Sequence, residues 1–233
     1  MKAMYCLPDA IAAPAPAVLV IFDVFGMTAD LTRIAGRLVE RGYAVLVPDL
    51  YDRREMRFLC VVRAVRAALS GAGREYDDIR LAREYLGAQK EIDSTRIAVT
   101  GFCMGGAFAV YLGTTGLYKV SAPFYGEVPK HADKLRGTCP VIASYGARDS
   151  KAMLAAAHRV ESHLTQLGVP HDLKFYPDAG HSFMNRNTGF LAEKIAPHLS
   201  MHAEYHEASA EDAWGRLFSF LDIHMNEPVK PAV

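Results

Sequence analysis

Cys103 lies in Gly101-Phe102-Cys103-Met104-Gly105, between the β-branched run Ile97–Thr100 and the small-residue run Ala107–Gly113. The pattern is G-x-nucleophile-x-G between a strand and a helix. A side chain on so sharp a turn takes strained backbone angles, and larger residues two positions away would collide, hence the glycines. The turn points the thiol at the N-terminus of the following helix, whose partial positive charge favours a thiolate and later an oxyanion. Most free cysteines are small buried packing residues; here the strand, the glycines and the helix all agree on a nucleophile instead. In such strand–turn–helix sites the acid and then the base follow the nucleophile along the chain. The run Val141–Tyr145 leads into Gly146-Ala147-Arg148-Asp149, which makes Asp149 the candidate acid. Pro177-Asp178-Ala179-Gly180-His181 then brings a histidine to the same edge, the candidate base. Of the nine histidines, only His181 has this position: His158, His163, His202 and His206 fall in helical or polar stretches, and His171 precedes a strand. Asp178 is a rival for the acid, but three residues before the base it fits a turn-shaping role better.

These residues need a scaffold, and the apolar pattern describes one. Val18–Phe22 is a nearly all-apolar run, as a strand buried on both faces should be. Thr28 or Asp30 then caps a helix to about Arg41, stopped by Gly42. Tyr43–Val47 is the next strand, followed by a helical region broken at Ser70–Gly73 and resuming to about Ala88. Ile97–Thr100, Lys119–Phe124, Val141–Tyr145 and Asp172–Tyr176 complete the strands, with helices near Ala152–Gln166 and Ser209–His224. Strands alternating with helices predict βαβ units, a mostly parallel central sheet and helices on both faces. Such sheets hold ligands at the carboxyl ends of their strands, which is where Cys103, Asp149 and His181 fall.

The bulk composition narrows the partners. At 233 residues the chain suits one α/β domain spanning 1–233. Lys+Arg and Asp+Glu balance at 26 each, which leaves no electrostatic footprint for nucleic acid or an anionic membrane. No apolar run is long enough to cross a bilayer. Cys6, Cys60, Cys103 and Cys139 form no CxxC pair, and prolines at 8, 14 and 16 interrupt any apolar leader, so a reducing, cytoplasmic setting is expected. No cofactor or metal motif is present. The expected partner is a small organic molecule.

The stretches VLVIFDVFGMTADLTRIAGRLVERGYAVLVPDLY, GFCMGG, YGARD and YPDAGHSF, with an AW-containing final helix, resemble the dienelactone hydrolase (carboxymethylenebutenolidase) family of the α/β-hydrolase superfamily. The resemblance runs nearly the whole length, and the G-[YF]-C-x-G-G elbow is specific because most relatives of this fold carry serine. It implies an α/β-hydrolase fold, a triad of Cys103, Asp149 and His181, and oxyanion donors at the Val24 and Met104 backbone N–H groups. Three positions depart from the family. Asp23 stands where the family has a thiol-restraining Glu, one methylene longer. The family's substrate arginine four residues after the histidine falls on Asn185, with Arg186 next. A second family arginine maps somewhere within 57–66.

The resemblance implies hydrolysis of a small ester or lactone through an acyl-enzyme. The nucleophile itself favours the same substrates, because thiolate is a good leaving group and returns from the first adduct unless the departing oxygen is also good. An enol-lactone or activated ester meets that condition. The alternatives are a carboxylesterase for neutral activated esters, and a non-hydrolytic thiol redox or binding protein; the latter would need a resolving cysteine, and none adjoins Cys103. The segment 185–204 starts four residues past His181, at the rim where hydrolase lids usually lie. It is expected to roof the site with Phe190, Leu191 and Ile195 and to offer Arg186 to a substrate carboxylate, or else to be an ordinary surface connection.

Overall fold

The computed structural model describes residues 1–9, 14–52, 56–188 and 202–226. Seven strands form one sheet: β1 (Ala3–Cys6), β2 (Ala15–Ile21), β3 (Ala44–Pro48), β4 (Ile92–Phe102), β5 (Ser121–Phe124), β6 (Val141–Gly146) and β7 (His171–Tyr176). Their spatial order is β1-β3-β2-β4-β5-β6-β7. All pairings are parallel except the edge, where β1 runs antiparallel to β3 with Ala3 opposite Pro48. Strands β2 and β3 are almost wholly buried, the signature of a sheet covered on both sides.

Among the described residues six α-helices provide the cover: α1 (Ala29–Val39), α2 (Arg57–Ser70), α3 (Arg74–Gly87), α4 (Met104–Leu112), α5 (Lys151–Gln166) and α6 (Glu207–His224). Right-handed crossovers decide which face each takes. The chain steps from β2 through α1 to β3 in one direction, then crosses back through α2 and α3 to β4 and continues outward, so α1 lies opposite α2–α5. Helix α6 joins α1: Arg37 donates to Glu211 at 2.5 and 2.6 Å, and its guanidinium stands 4.9 Å above the ring of the fully buried Trp214. Trp214 packs in turn on Phe102 and Phe218, which fixes α6 beneath β4.

The reversal of direction between β2 and β4 is a topological switch point, and it opens a crevice at the carboxyl ends of those two strands. Asp23-Val24 leaves one and Cys103 the other.

The elements agree with the sequence pattern except in particulars. Thr28 occupies the N-cap of α1 without a side-chain cap bond, and the αL glycine Gly42 follows its end. Gly71 caps α2 at φ 72°, which is the break expected at 70–73. Strand β4 begins five residues earlier than the apolar run, through Ile92–Arg96. Strand β1 was not expected; its four residues are half-exposed and sit beside prolines that argue against regular structure. Among the described residues no helix is long and apolar enough to cross a membrane.

Candidate active site

The turn from β4 into α4 is built from contacts that admit no side chain. A Cβ on Gly101 would meet the Gly105 carbonyl, one on Gly105 would meet the Ile21 carbonyl, and one on Gly106 would come within 2.5 Å of the Phe124 carbonyl. Backbone thus packs on backbone from β2, β4 and β5, and Cys103 is forced to φ 54°, ψ −113°. A non-glycine residue there stores roughly 1–3 kcal/mol. The turn is held by the Cys103 N–H donating to Phe124 O at 3.0 Å and by Ala107 N–H donating to Cys103 O at 3.1 Å. Two other residues beside it also have positive φ, Tyr125 at 41° and Ser182 at 57°.

Asp149 and His181 arrive on two loops locked together in the same manner. A Cβ on Gly146 would strike the carbonyls of Ala179 and Gly180, and Arg148 N–H donates to Ala179 O at 2.9 Å. The Asp149 Oδ1 accepts from the Ser150 N–H at 2.6 Å, and its Oδ2 lies 2.7 Å from His181 Nδ1. Both side chains are buried, Asp149 at 1% exposure. Cys103 lies on the other side of the imidazole. Burial alone would lower the His181 pKa, but the Cys103 charge and the bonds to Asp149 and Cys103 outweigh it, raising the pKa to about 10. Tyr125 presents its ring to the imidazole at 5.2 Å between centroids. Asp178, by contrast, is exposed.

Cys103 and His181 open on a small cavity of about 140 Å³, with Val24, Met104, Val65, Leu69 and Met153 among its walls. Met104 is the first residue of α4, so its N–H has no intrahelical acceptor. Val24 is another wall of the cavity, and the Tyr51 hydroxyl lies 3.3 Å from Val24 O and 3.8 Å from Met104 Sδ.

The remaining expected residues occupy different surroundings. Asp23 does not sit on the thiol: Oδ1 accepts from the Phe25 N–H at 2.8 Å and Oδ2 from the Asn187 amide at 2.9 Å. Burial raises its pKa, partly offset by those two bonds. Asn185 is buried and structural in its contacts, accepting from the Tyr125 hydroxyl and donating to Asp30 at 3.2 Å. Asp30 also accepts from the Arg186 N–H at 3.0 Å and pairs with Arg33 at 2.6 Å, so it staples α1 to the segment after His181. The Arg186 guanidinium is exposed and turned outward, 4.4 Å over the Tyr205 ring and 2.9 Å from its hydroxyl. It is not among the residues that line the cavity at Cys103. Of the arginines in 57–66, Arg57 donates to Phe25 O at 2.5 Å and Arg63 pairs with the buried Glu75, while Arg66 is exposed. Phe190, Leu191 and Ile195 lie outside the described residues. Among the described residues no group of three or more His, Cys, Asp or Glu is gathered as metal ligands would be.

Tyr125, Tyr51 and Asn187 are site residues that motif reading passed over. Tyr125 and Tyr51 were findable, since each stands just beyond the carboxyl end of a strand. Asn187 carried no local signal.

A mostly parallel sheet with a switch-point crevice and a strained elbow at the end of β4 defines the α/β-hydrolase fold. The family model described as the dienelactone hydrolase family matches residues 1–225, and the chain belongs to that family, making it a carboxylic ester hydrolase. It is 28% identical over 227 residues to a carboxymethylenebutenolidase of Rhodococcus opacus, covering 89% of this chain and 81% of that protein. Among solved structures, m3DLH is 25% identical with a TM-score of 0.77, covering 95% of this chain and 92% of that one. A dienelactone hydrolase-like promiscuous phosphotriesterase from metagenomic libraries shares the fold at the same TM-score of 0.77 and 23% identity, again over 95% and 92% of the two chains.

Proposed function

We propose that this protein hydrolyses small activated esters or lactones through a thioester on Cys103. The observation that carries the reading is the run of contacts from Cys103 to His181 and from His181 Nδ1 to Asp149 at 2.7 Å, at the base of a cavity. The raised imidazole pKa, owed to Cys103 and Asp149 against the effect of burial, supports a coupled Cys103–His181 pair that can pass a proton. The thiolate attacks the carbonyl carbon, and the carbonyl oxygen takes the negative charge facing the Val24 and Met104 N–H groups. One such donor is worth about 3–4 kcal/mol in sites of this type. The adduct collapses, the carbon–oxygen bond to the leaving group breaks, and His181 gives that oxygen its proton. Now neutral, His181 takes a proton from water; the hydroxide attacks the thioester and Cys103 leaves as thiolate. Asp149 holds the imidazole in the tautomer with its Nδ1 proton inward. Asp23 contributes through the Val24 turn it braces.

The other cysteines are poorer nucleophiles. Cys60 is fully buried, burial pushes Cys139 up to about 12, and burial also raises Cys6. With an activated aryl ester, a burst of one equivalent per enzyme and an acyl adduct on Cys103 by peptide mass are expected, and Cys103→Ala should abolish turnover. A Cys103→Ala protein that still hydrolyses the ester, or an adduct on another cysteine, refutes the reading.

A further inference from the structure

The tight turn Asp23-Val24-Phe25-Gly26 follows β2 and gives Val24 to the wall of the Cys103 cavity. Asp23 closes this turn twice. Its carbonyl accepts from the Gly26 N–H at 3.1 Å, and its carboxylate Oδ1 accepts from the Phe25 N–H at 2.8 Å. The first bond fixes the plane of the Asp23–Val24 peptide. In a planar trans peptide the N–H lies antiparallel to the carbonyl, so the Val24 N–H is held outside the turn. The next two carbonyls are held as well, Val24 O by the Tyr51 hydroxyl at 3.3 Å and Phe25 O by Arg57 at 2.5 Å.

The other oxygen of the buried Asp23 carboxylate is held from far along the chain: Oδ2 accepts from the Asn187 amide at 2.9 Å. Several hydrogen bonds lace the segment 184–187 to residues 23–33. Arg33 donates to Met184 O at 2.8 Å, and the Asn185 amide and the Arg186 N–H donate to Asp30 at 3.2 and 3.0 Å. Those three end on α1; of the set, the Asn187 bond is the one that reaches the turn carrying Val24. An ionised carboxylate only accepts, so the amide must offer Asp23 its NH₂. Its own Oδ1 is buried without a hydrogen-bond partner among the described residues. We infer that Asn187 is a positioning residue for ester hydrolysis: by holding the Asp23 carboxylate it steadies the turn and so aims the Val24 N–H at the carbonyl oxygen as negative charge forms there. The inference rests on the acyl-transfer reading above and adds a residue outside both the triad and the oxyanion pair on which the rate depends. Without the amide, Oδ2 loses this partner in a buried setting and the carboxylate turns. That slackens the bond from Phe25 and the peptide that presents the Val24 N–H. Oxyanion donors act by being fixed before the charge develops, so a small misalignment slows the chemical steps.

Asn187→Ala tests this with 4-nitrophenyl acetate. Acylation and deacylation both pass through an oxyanion, so the burst rate and the steady-state kcat should each fall about tenfold or more. Asn187→Gln, which keeps an amide on a longer arm, should recover part of the loss. Alkylation of Cys103 by iodoacetamide is a displacement at saturated carbon that forms no oxyanion, and it should stay within about twofold of wild type. A third readout is spectroscopic. Donors on the carbonyl oxygen move the absorption band of a cinnamoyl group on Cys103 to the red, and in Asn187→Ala the band should lie closer to that of a free cinnamoyl thioester. If Asn187→Ala does not fold, Asn187→Leu, similar in volume and without the amide, carries the same measurements. Acylation within about threefold of wild type, alkylation that falls as far as acylation, or an unmoved band overturns the inference. A wild-type protein that forms no acyl adduct on Cys103 removes the acyl-transfer reading and this inference with it. An acylating wild type beside an unaffected variant removes the inference alone.

Discussion

Replacing Asp149 by asparagine should reduce kcat for an activated ester by about 10³–10⁴, and the two bonds of this carboxylate show why. Oδ1 is claimed by the Ser150 N–H at 2.6 Å and Oδ2 faces His181 Nδ1 at 2.7 Å. A carboxylate accepts at both ends; an amide accepts at one. The backbone donor of Ser150 is fixed at the start of α5, so the amide oxygen must turn to it and the NH₂ must face His181. Nδ1 then becomes the acceptor, the ring proton moves to Nε2, and the imidazole can no longer take a proton from Cys103. The opposite amide orientation would set one buried donor against another at a cost of about 1–3 kcal/mol. With RT near 0.59 kcal/mol, that leaves only between about a fifth and under a hundredth of molecules in the useful tautomer. Loss of the negative charge beside the imidazolium, at a side chain only 1% exposed, multiplies the deficit. A matching substitution in serine-histidine-aspartate sites costs about 10⁴. Burst and steady-state kinetics with an aryl ester, alongside thermal melting to show the fold intact, measure the effect. Activity within tenfold of wild type would refute the reasoning, and a dead Asp178→Asn protein beside it would move the acid role to that exposed loop residue.

Gly105→Ala should destabilise the protein by about 2 kcal/mol or more, because its Cβ has only the Ile21 and Phe22 carbonyls to push against; a melting temperature lowered by roughly 4–8 °C or more is expected by calorimetry, and an unchanged one would contradict the close packing of the elbow. The raised His181 pKa also makes stability depend on pH. The folded state holds this proton more tightly than the unfolded chain, whose histidine titrates near about 6.5. Its contribution is therefore complete below about 6.5 and fades as pH rises through the folded value of about 10. Denaturant unfolding of wild type and His181→Gln across this window should give curves that converge on the alkaline side, and parallel curves would refute the shift.

Much of this site was legible in the sequence because its backbone rules are local. Glycines around Cys103 and the order Cys103, Asp149, His181 follow from a turn and a strand order that leave marks within a few residues. The expected helices and six of the strands fall where apolar period and breakers put them. What escaped was set by long-range partners. Strand β1 is a short edge strand whose register comes from β3, not from its own pattern. The backbone N–H of Arg186 is bonded by Asp30, 156 positions earlier, a partner that local spacing does not encode. Asn187 reaches Asp23 across 164 positions, which no local spacing encodes.

The staple between Asp30 and residues 185 and 186 has a consequence for how the protein is made. A ribosome releases Asp23, then Cys103, then Asp149, and the histidine after all three. At about 5–20 residues per second, His181 trails Cys103 by several seconds. During that interval the sheet from β1 to β5 can assemble, yet the thiol has no imidazole beside it. Residues 183–187, docked onto α1, hold the loop next to the imidazole and supply a brace for Asp23 and a partner for Tyr125. A chain truncated before residue 181 would therefore lack both the imidazole beside Cys103 and the partners that hold Asp23 and Tyr125.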